Sequence, residues 1–210
     1  MERTQLLLYA VTNGGENLPK QVEAALRGGA TMIQLREKRR GDAELLRSAQ
    51  AVKRVTDAYG AALILNDRAD LARELGCAGA HLGALDGDLT QARALLGGAI
   101  LGATARSVEQ ALAAEAAGAD YIGSGAVFGT NTKLDASPMP LERFRAICGA
   151  VRIPVVAIGG ISAENILRLK GCGMAGFALV SAVFGAADIE AAARRLHRLA
   201  LQTIEDSAKA

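Results

Sequence analysis

Eight short apolar runs, separated by stretches of helical patterning, each end in a few polar or glycine residues, and this serial order constrains the fold more than any other property of the chain. The runs cover residues 6–11, 31–36, 62–66, 79–82, 100–104, 121–125, 155–158 and 177–181. Several are continuously apolar instead of alternating, the pattern of parallel strands buried on both faces. Between them lie sets such as Ala43, Leu45, Leu46, Ala49, Val52 and Val55, or Val108, Leu112 and Ala116, with the spacing of amphipathic helices. A final helix is expected over 189–204.

Glycines mark the joints. Gly28, Gly60, Gly76, Gly97, Gly118, Gly149 and Gly171 each fall where a helical pattern ends and the next apolar run is about to begin. A residue just past a helix end often adopts positive φ, which glycine tolerates without a Cβ clash. Ser107-Val108-Glu109-Gln110 fits a capping box, and Ser162 and Asp188 suit helix N-caps. These signals predict an α/β chain folded as a single (β/α)8 TIM barrel over residues 1–210. An open doubly wound sheet shares the alternating pattern, but no GxGxxG opens the first helix, where only Gly14-Gly15 occurs. The 210 residues are compact for a barrel, which usually runs to about 250.

Composition narrows the function. The formal net charge is only +2, and the basic residues form no block beyond 36–40, so no nucleic-acid face is indicated. No apolar stretch approaches the span of a bilayer, and the first run is too short for a signal segment, so a cytoplasmic protein without membrane contact is expected. Cys77, Cys148 and Cys172 have no CxxC spacing and read as reduced fillers. Aromatic residues are 3% of the chain, so ligand binding must rest mainly on charge and backbone groups.

In a closed barrel the strand ends share one rim, where the following loops build the active site. Gln34, Arg36 and Lys38 alternate at the second strand end and, by the period of two, point the same way, a set suited to a phosphate or diphosphate. The same residues also read as a solvated charge run. Asn66-Asp67 follows the third strand and Asp86 the fourth; each fits a cap or turn, yet on adjacent strands the carboxylates can share an ion. Oxygen ligands, only two histidines in the chain and nearby phosphate favour Mg²⁺ over zinc. Thr130, Asn131, Thr132 and Lys133, in the long loop after strand six, can grip an anion or simply be loop residues. Gly159-Gly160 and Val180-Ser181 end strands seven and eight, whose loops frequently hold phosphate on backbone N–H groups, although a glycine pair also serves a tight turn. His81, with no nucleophile signature beside it, reads as a packed, hydrogen-bonded residue. Lys38 and Lys133 suit charge stabilisation better than imine formation. Anion sites around a magnesium site, without a nucleophile or an acid–base pair, suggest a reaction from which diphosphate departs.

The motifs Leu8-Tyr9-Ala10-Val11-Thr12, Gln34-Leu35-Arg36-Glu37-Lys38, Leu65-Asn66-Asp67-Arg68, Gly79-Ala80-His81-Leu82-Gly83, Thr130-Asn131-Thr132-Lys133, Ile158-Gly159-Gly160-Ile161 and Val180-Ser181-Ala182, in that order, resemble the thiamine phosphate synthase family through nearly the whole chain. The resemblance implies a transferase that joins 4-amino-5-hydroxymethyl-2-methylpyrimidine diphosphate to 4-methyl-5-(2-phosphoethyl)thiazole. It further implies that Gln34, Leu35, Arg36, Glu37, Lys38, Asn66 and Lys133 contact the pyrimidine diphosphate and that Asp67 and Asp86 hold Mg²⁺. Thr104 then stands for the family's serine after strand five, and Thr130, Asn131, Thr132, Gly160, Val180 and Ser181 hold the thiazole phosphate. In the family's mechanism the bond to diphosphate breaks first, and Arg36, Lys38 and Lys133 stabilise the departing charge. Asn13, Ala84, Arg106 and Gly129 depart from the usual pattern. A thiazole tautomerase-like paralogue and a non-catalytic barrel that binds a phosphorylated metabolite remain alternatives, and either a monomer or a homodimer fits.

Overall fold

A computed structural model of the chain describes residues 1–37, 41–84, 87–129 and 138–205. Its parallel strands are β1 (Leu8–Val11), β2 (Met32–Leu35), β3 (Ala62–Asn66), β4 (Gly79–Leu82), β5 (Ile100–Thr104), β6 (Tyr121–Gly125), β7 (Val155–Ile158) and β8 (Gly176–Leu179). They pair in chain order, and β8 pairs back onto β1 to close the barrel. The helices are α1 (Leu18–Arg27), α2 (Asp42–Ala58), α3 (Ala69–Glu74), α4 (Leu89–Leu96), α5 (Val108–Ala116), α6 (Leu141–Ala150), α7 (Ser181–Phe184) and α8 (Ile189–Glu205).

Two cores explain why the strand runs are continuously apolar. One parity of each strand fills the barrel, with Tyr9, Val11, Met32, Ile64, Tyr121 and Val156 packed together inside. The other parity, including Ala10, Ile33, Leu35, Leu65 and Leu101, packs outward against the helices. Each such Leu or Ile is fully buried or nearly so, and truncation to alanine would cost about 2–5 kcal/mol. Helix starts are fixed by side-chain caps: Asp88 accepts from the Thr90 N–H at 2.7 Å, Ser107 from the Gln110 N–H at 3.3 Å, and Asp188 from the Ala191 N–H at 2.9 Å.

Three expectations need correction. The first apolar run does not begin as strand: Arg3–Leu6 is a 3-10 turn, and Leu6, fully buried, sits with Met32 and Ile64 inside the barrel. Apolar character alone does not separate such a plug from a strand. The connection from β7 to β8 holds a short 3-10 helix, Ile166–Leu169, where a full helix was expected. Ser162 accordingly caps no α-helix, although its hydroxyl accepts from the Glu164 N–H at 3.3 Å. The last run ends as strand at Leu179, since Val180 (φ −107, ψ −89) turns the chain into α7.

The glycine rhythm is also uneven. Gly60, Gly76, Gly97, Gly118 and Gly171 have positive φ, but at the first joint that role falls to Gly29 (φ 98). Gly28 is required for a different reason: a Cβ there would lie 2.5 Å from the Cβ of Ala193 on α8. Gly149 lies within α6 with open space around it, and nothing in the structure explains it. The close approach at Gly28 brings the last helix onto the first. Arg27 Nε donates to Glu190 at 2.8 Å, and His197 Nδ1 lies 2.7 Å from the Gly29 carbonyl oxygen.

Candidate active site

The C-terminal strand ends surround a cavity of about 160 Å³. Its wall includes Gln34 and Arg36 from β2 and its loop, Asn66 and Asp67 after β3, Thr104 on β5, and Gly160, Val180 and Ser181 from the opposite side. Residues as far apart in sequence as Gln34 and Ser181 thus face one space, because a barrel gathers every strand end onto one rim.

Strand parity sorts the second-strand motif. Gln34 and Arg36 face the cavity, and Thr12 holds the latter in place: its N–H donates to the Gln34 carbonyl at 2.9 Å and its hydroxyl accepts from the Arg36 N–H at 2.9 Å. Leu35 turns the other way, is 1% exposed and packs among the helices, so its side chain cannot line a ligand site as the motif implied. Glu37 does not line the cavity either; its carboxylate lies beside Gly14 in the loop after β1. Lys38, Asp86, Thr130, Asn131, Thr132 and Lys133 lie outside the described residues.

Asp67 is held in an uncommon conformation. It has φ 61, in the left-handed region, where aspartate is better tolerated than most residues. Its N–H donates to the His81 carbonyl at 2.8 Å, one carboxylate oxygen accepts from the Gly83 N–H at 3.2 Å, and the other accepts from the Asn66 amide. These contacts aim a charged carboxylate at the cavity from between β3 and β4. Among the described residues no group of three or more His, Cys, Asp or Glu side chains comes together.

The glycine pair after β7 has a steric explanation. Gly159 and Gly160 have φ 93 and 67, and a Cβ on Gly160 would lie 2.2 Å from the Gly129 carbonyl oxygen. The loop after β6 presses onto this turn, with the Phe128 N–H donating to the Gly159 carbonyl at 3.1 Å and Arg168 stacked 5.1 Å above the Phe128 ring. Both glycines still face the cavity, so at these two positions the turn presents only backbone to it.

The floor of the cavity was not anticipated from the sequence. Gln34 Nε2 donates to the Tyr9 hydroxyl, which lies 2.8 Å from the Tyr121 hydroxyl. Tyr121 in turn lies 3.0 Å from His81 Nδ1, and His81 Nε2 lies 3.0 Å from Thr104 Oγ1. Burial pushes the ionisation of both phenols well up, against the lowering effect at Tyr9 of its bonds to Tyr121 and Gln34. Room for this chain is cut from the neighbouring strand: a Cβ on Gly102 would lie 2.3 Å from the Tyr121 oxygen and 2.5 Å from His81 Nδ1. The expectation that His81 is a packed, hydrogen-bonded residue agrees with this geometry. Tyr9 and Tyr121 lie inside two of the apolar runs, which gave them no site role; the signal for it was a glycine in mid-strand at 102. Arg106, also missed as a site residue, lines the cavity beyond Thr104. The departures Asn13 and Ala84 are exposed.

Comparisons with known proteins agree on one family. The family model for thiamine monophosphate synthase matches residues 8–183. The thiamine-phosphate synthase of Ruminiclostridium cellulolyticum is 44% identical over 194 residues, covering 90% of this chain and 92% of that one. The thiamine-phosphate synthase of Moorella thermoacetica is 46% identical over 188 residues, covering 89% and 90%. Among solved structures, thiamine phosphate pyrophosphorylase from Pyrococcus furiosus superposes with a TM-score of 0.90 at 37% identity, covering 96% of this chain and 98% of that one.

Proposed function

Because the chain belongs to the thiamine monophosphate synthase family and is therefore a transferase that forms thiamine phosphate, we propose that its cavity joins 4-amino-5-hydroxymethyl-2-methylpyrimidine diphosphate to 4-methyl-5-(2-phosphoethyl)thiazole, or the carboxylated thiazole, with release of pyrophosphate. The observation that carries this reading is the single cavity whose opposite walls hold Gln34, Arg36, Asn66, Asp67 and Thr104 on one side and Gly160, Val180 and Ser181 on the other. Two phosphorylated rings need two anion-holding walls facing one reaction space. The partners in this reading are those two small molecules, the protein acts as a monomer or homodimer, and the place of work is the cytoplasm.

The donor set fits Mg²⁺. Asp67 offers carboxylate oxygens to the cavity, and both ring nitrogens of His81 are already engaged by Tyr121 and Thr104, which leaves hard oxygen donors in that wall. Asp67 and Asp86, which follow consecutive strands, would hold the ion. When bound, it neutralises charge on a diphosphate leaving group.

The chain's own residues do the remaining work. Arg36, held by Thr12, presents a permanent cation to the diphosphate, and Lys38 and Lys133 supply further positive charge as the bond to oxygen lengthens. Gln34, Leu35 through its backbone, and Asn66 position the pyrimidine half, while Glu37, whose carboxylate lies beside Gly14, is left outside the cavity. Thr130, Asn131, Thr132, Gly160, Val180 and Ser181 hold the thiazole phosphate, so that the thiazole nitrogen meets the electron-deficient carbon on the face opposite the departing group. Positioning and charge stabilisation suffice for such a step.

The test is a coupling assay with both substrates and Mg²⁺, scored by thiamine phosphate and pyrophosphate. Binding of thiazole phosphate without any coupled product would favour the tautomerase-like or non-catalytic barrel and overturn the proposal.

A further inference from the structure

We propose that Gln34, Tyr9, Tyr121, His81 and Thr104 form a one-way hydrogen-bond relay that places the His81 ring proton on Nε2 and so turns the Thr104 hydroxyl proton into the cavity. Tyr9, Tyr121 and His81 are then positioning residues, acting through Thr104 on a hydrogen-bond acceptor of the bound ring.

The polarity follows from counting donors. Gln34 Nε2 carries only donors, and it faces the Tyr9 oxygen, which must accept. Tyr9 is about 1% exposed, and its own proton has one other neighbour in the relay, the Tyr121 oxygen. A buried hydroxyl left without an acceptor is costly, so Tyr9 donates to Tyr121. Tyr121, fully buried, has by the same reasoning one outlet for its proton, His81 Nδ1 at 3.0 Å. An accepting Nδ1 leaves the ring proton on Nε2, which donates to Thr104 Oγ1 at 3.0 Å. Thr104 has then accepted, and its remaining proton turns to the cavity that the residue lines.

The five residues come from β2, β1, β6, β4 and β5, so the relay crosses the barrel from one wall to the other. The barrel makes specific room for it. Gly102 leaves space for Tyr121 and His81, and a Cβ on Gly123 would lie 3.2 Å from His81 Cε1. The rings are held by packing as well, with Tyr9 and Tyr121 edge to face at 5.8 Å and His81 tilted on Tyr121 at 5.5 Å. An internal contrast is built in: His197, the other histidine, faces a carbonyl oxygen with Nδ1 at 2.7 Å and must carry its proton there.

Nitrogen-15 histidine spectra of the full chain test this directly. His81 is expected as the Nε2–H tautomer and His197 with a protonated Nδ1. In Tyr121→Phe, the His81 pattern should shift to a mixture of tautomers. A native His81 with its proton on Nδ1, or a pattern unchanged in Tyr121→Phe, overturns the relay; the native spectrum decides even where that variant does not fold. The kinetic arm rests on the coupling reading above. Thr104→Val should raise KM for the pyrimidine diphosphate about fivefold, the worth of one hydrogen bond, with kcat within about twofold, and Thr104→Ser should restore it. The double variant Tyr121→Phe/Thr104→Val should be no worse than Thr104→Val alone, whereas additive losses would overturn action through Thr104. A native protein that shows the Nε2–H tautomer but no coupling retains the relay and loses the coupling reading.

Discussion

The side-chain amide of Asn66 donates to the carboxylate of Asp67, its neighbour in sequence, because Asp67 sits at φ 61 and folds its side chain back beside the strand end. Both residues line the cavity, and the amide of Asn66 holds the Asp67 carboxylate in place.

Asp67→Asn keeps the shape and the tolerance for positive φ but removes the charge. Turnover in the coupling assay should fall about a hundredfold, as for loss of a metal-site group, and excess Mg²⁺ should not restore it. The melting temperature should move little. Asp67→Ala is the poorer probe, since alanine in the left-handed region costs about 1–2 kcal/mol by itself. Turnover of Asp67→Asn near the native rate would remove the metal assignment.

Gly102→Ala should destabilise the fold by about 1–3 kcal/mol, the usual cost of overpacking, because the new methyl meets Tyr121 and His81 within 2.5 Å. Gly98→Ala, with nothing within 4 Å and no positive φ, should be neutral or stabilise by up to about 1 kcal/mol. Urea unfolding midpoints compare the two, and equal midpoints would contradict the packing described.

Arg93 ties together the end of the barrel away from the cavity. Its guanidinium donates to the carbonyls of Gly118 (3.0 Å), Gly97 (2.6 Å) and Ala99 (2.7 Å) and pairs with Asp120 at 2.5 Å. Asp120 also accepts from the Leu101 N–H at 2.7 Å. Arg93→Lys cannot reproduce this planar fork and should cost about 2 kcal/mol in urea unfolding, with kcat unchanged.

The buried phenols predict an alkaline limit. Burial raises both folded-state values, so their contribution to stability is complete below the unfolded value of about 10 and is lost as pH rises through the folded value. In a Tyr59→Phe background only Tyr9 and Tyr121 remain. Phenolate absorbance should then appear together with loss of circular dichroism, and its appearance in the folded protein would show that the two hydroxyls reach water.

Most of this architecture was legible because parallel strands write themselves as continuous apolar runs with marked ends: β3 through β7 begin and end where the sequence predicts. The first and last runs were less clear, since Leu6 as an interior plug and Val180 as a turn are as apolar as any strand residue. Within the site, Gln34, Arg36 and Asp67 stood out as polar residues at strand ends. Leu35 was carried by its motif, but the alternation of side chains sends it to the helices. The relay stayed hidden because Tyr9 and Tyr121 bury large apolar rings and show their polarity only at the tip.

The ring of strands is sealed by residues from opposite ends of the chain, β1 against β8 and Gly29 against His197. During synthesis the early strands must therefore wait with one edge unsatisfied until the last βα unit emerges. Closure of such distant pairs is entropically slow. Until then the exposed first strand is the part of the nascent chain most open to wrong partners.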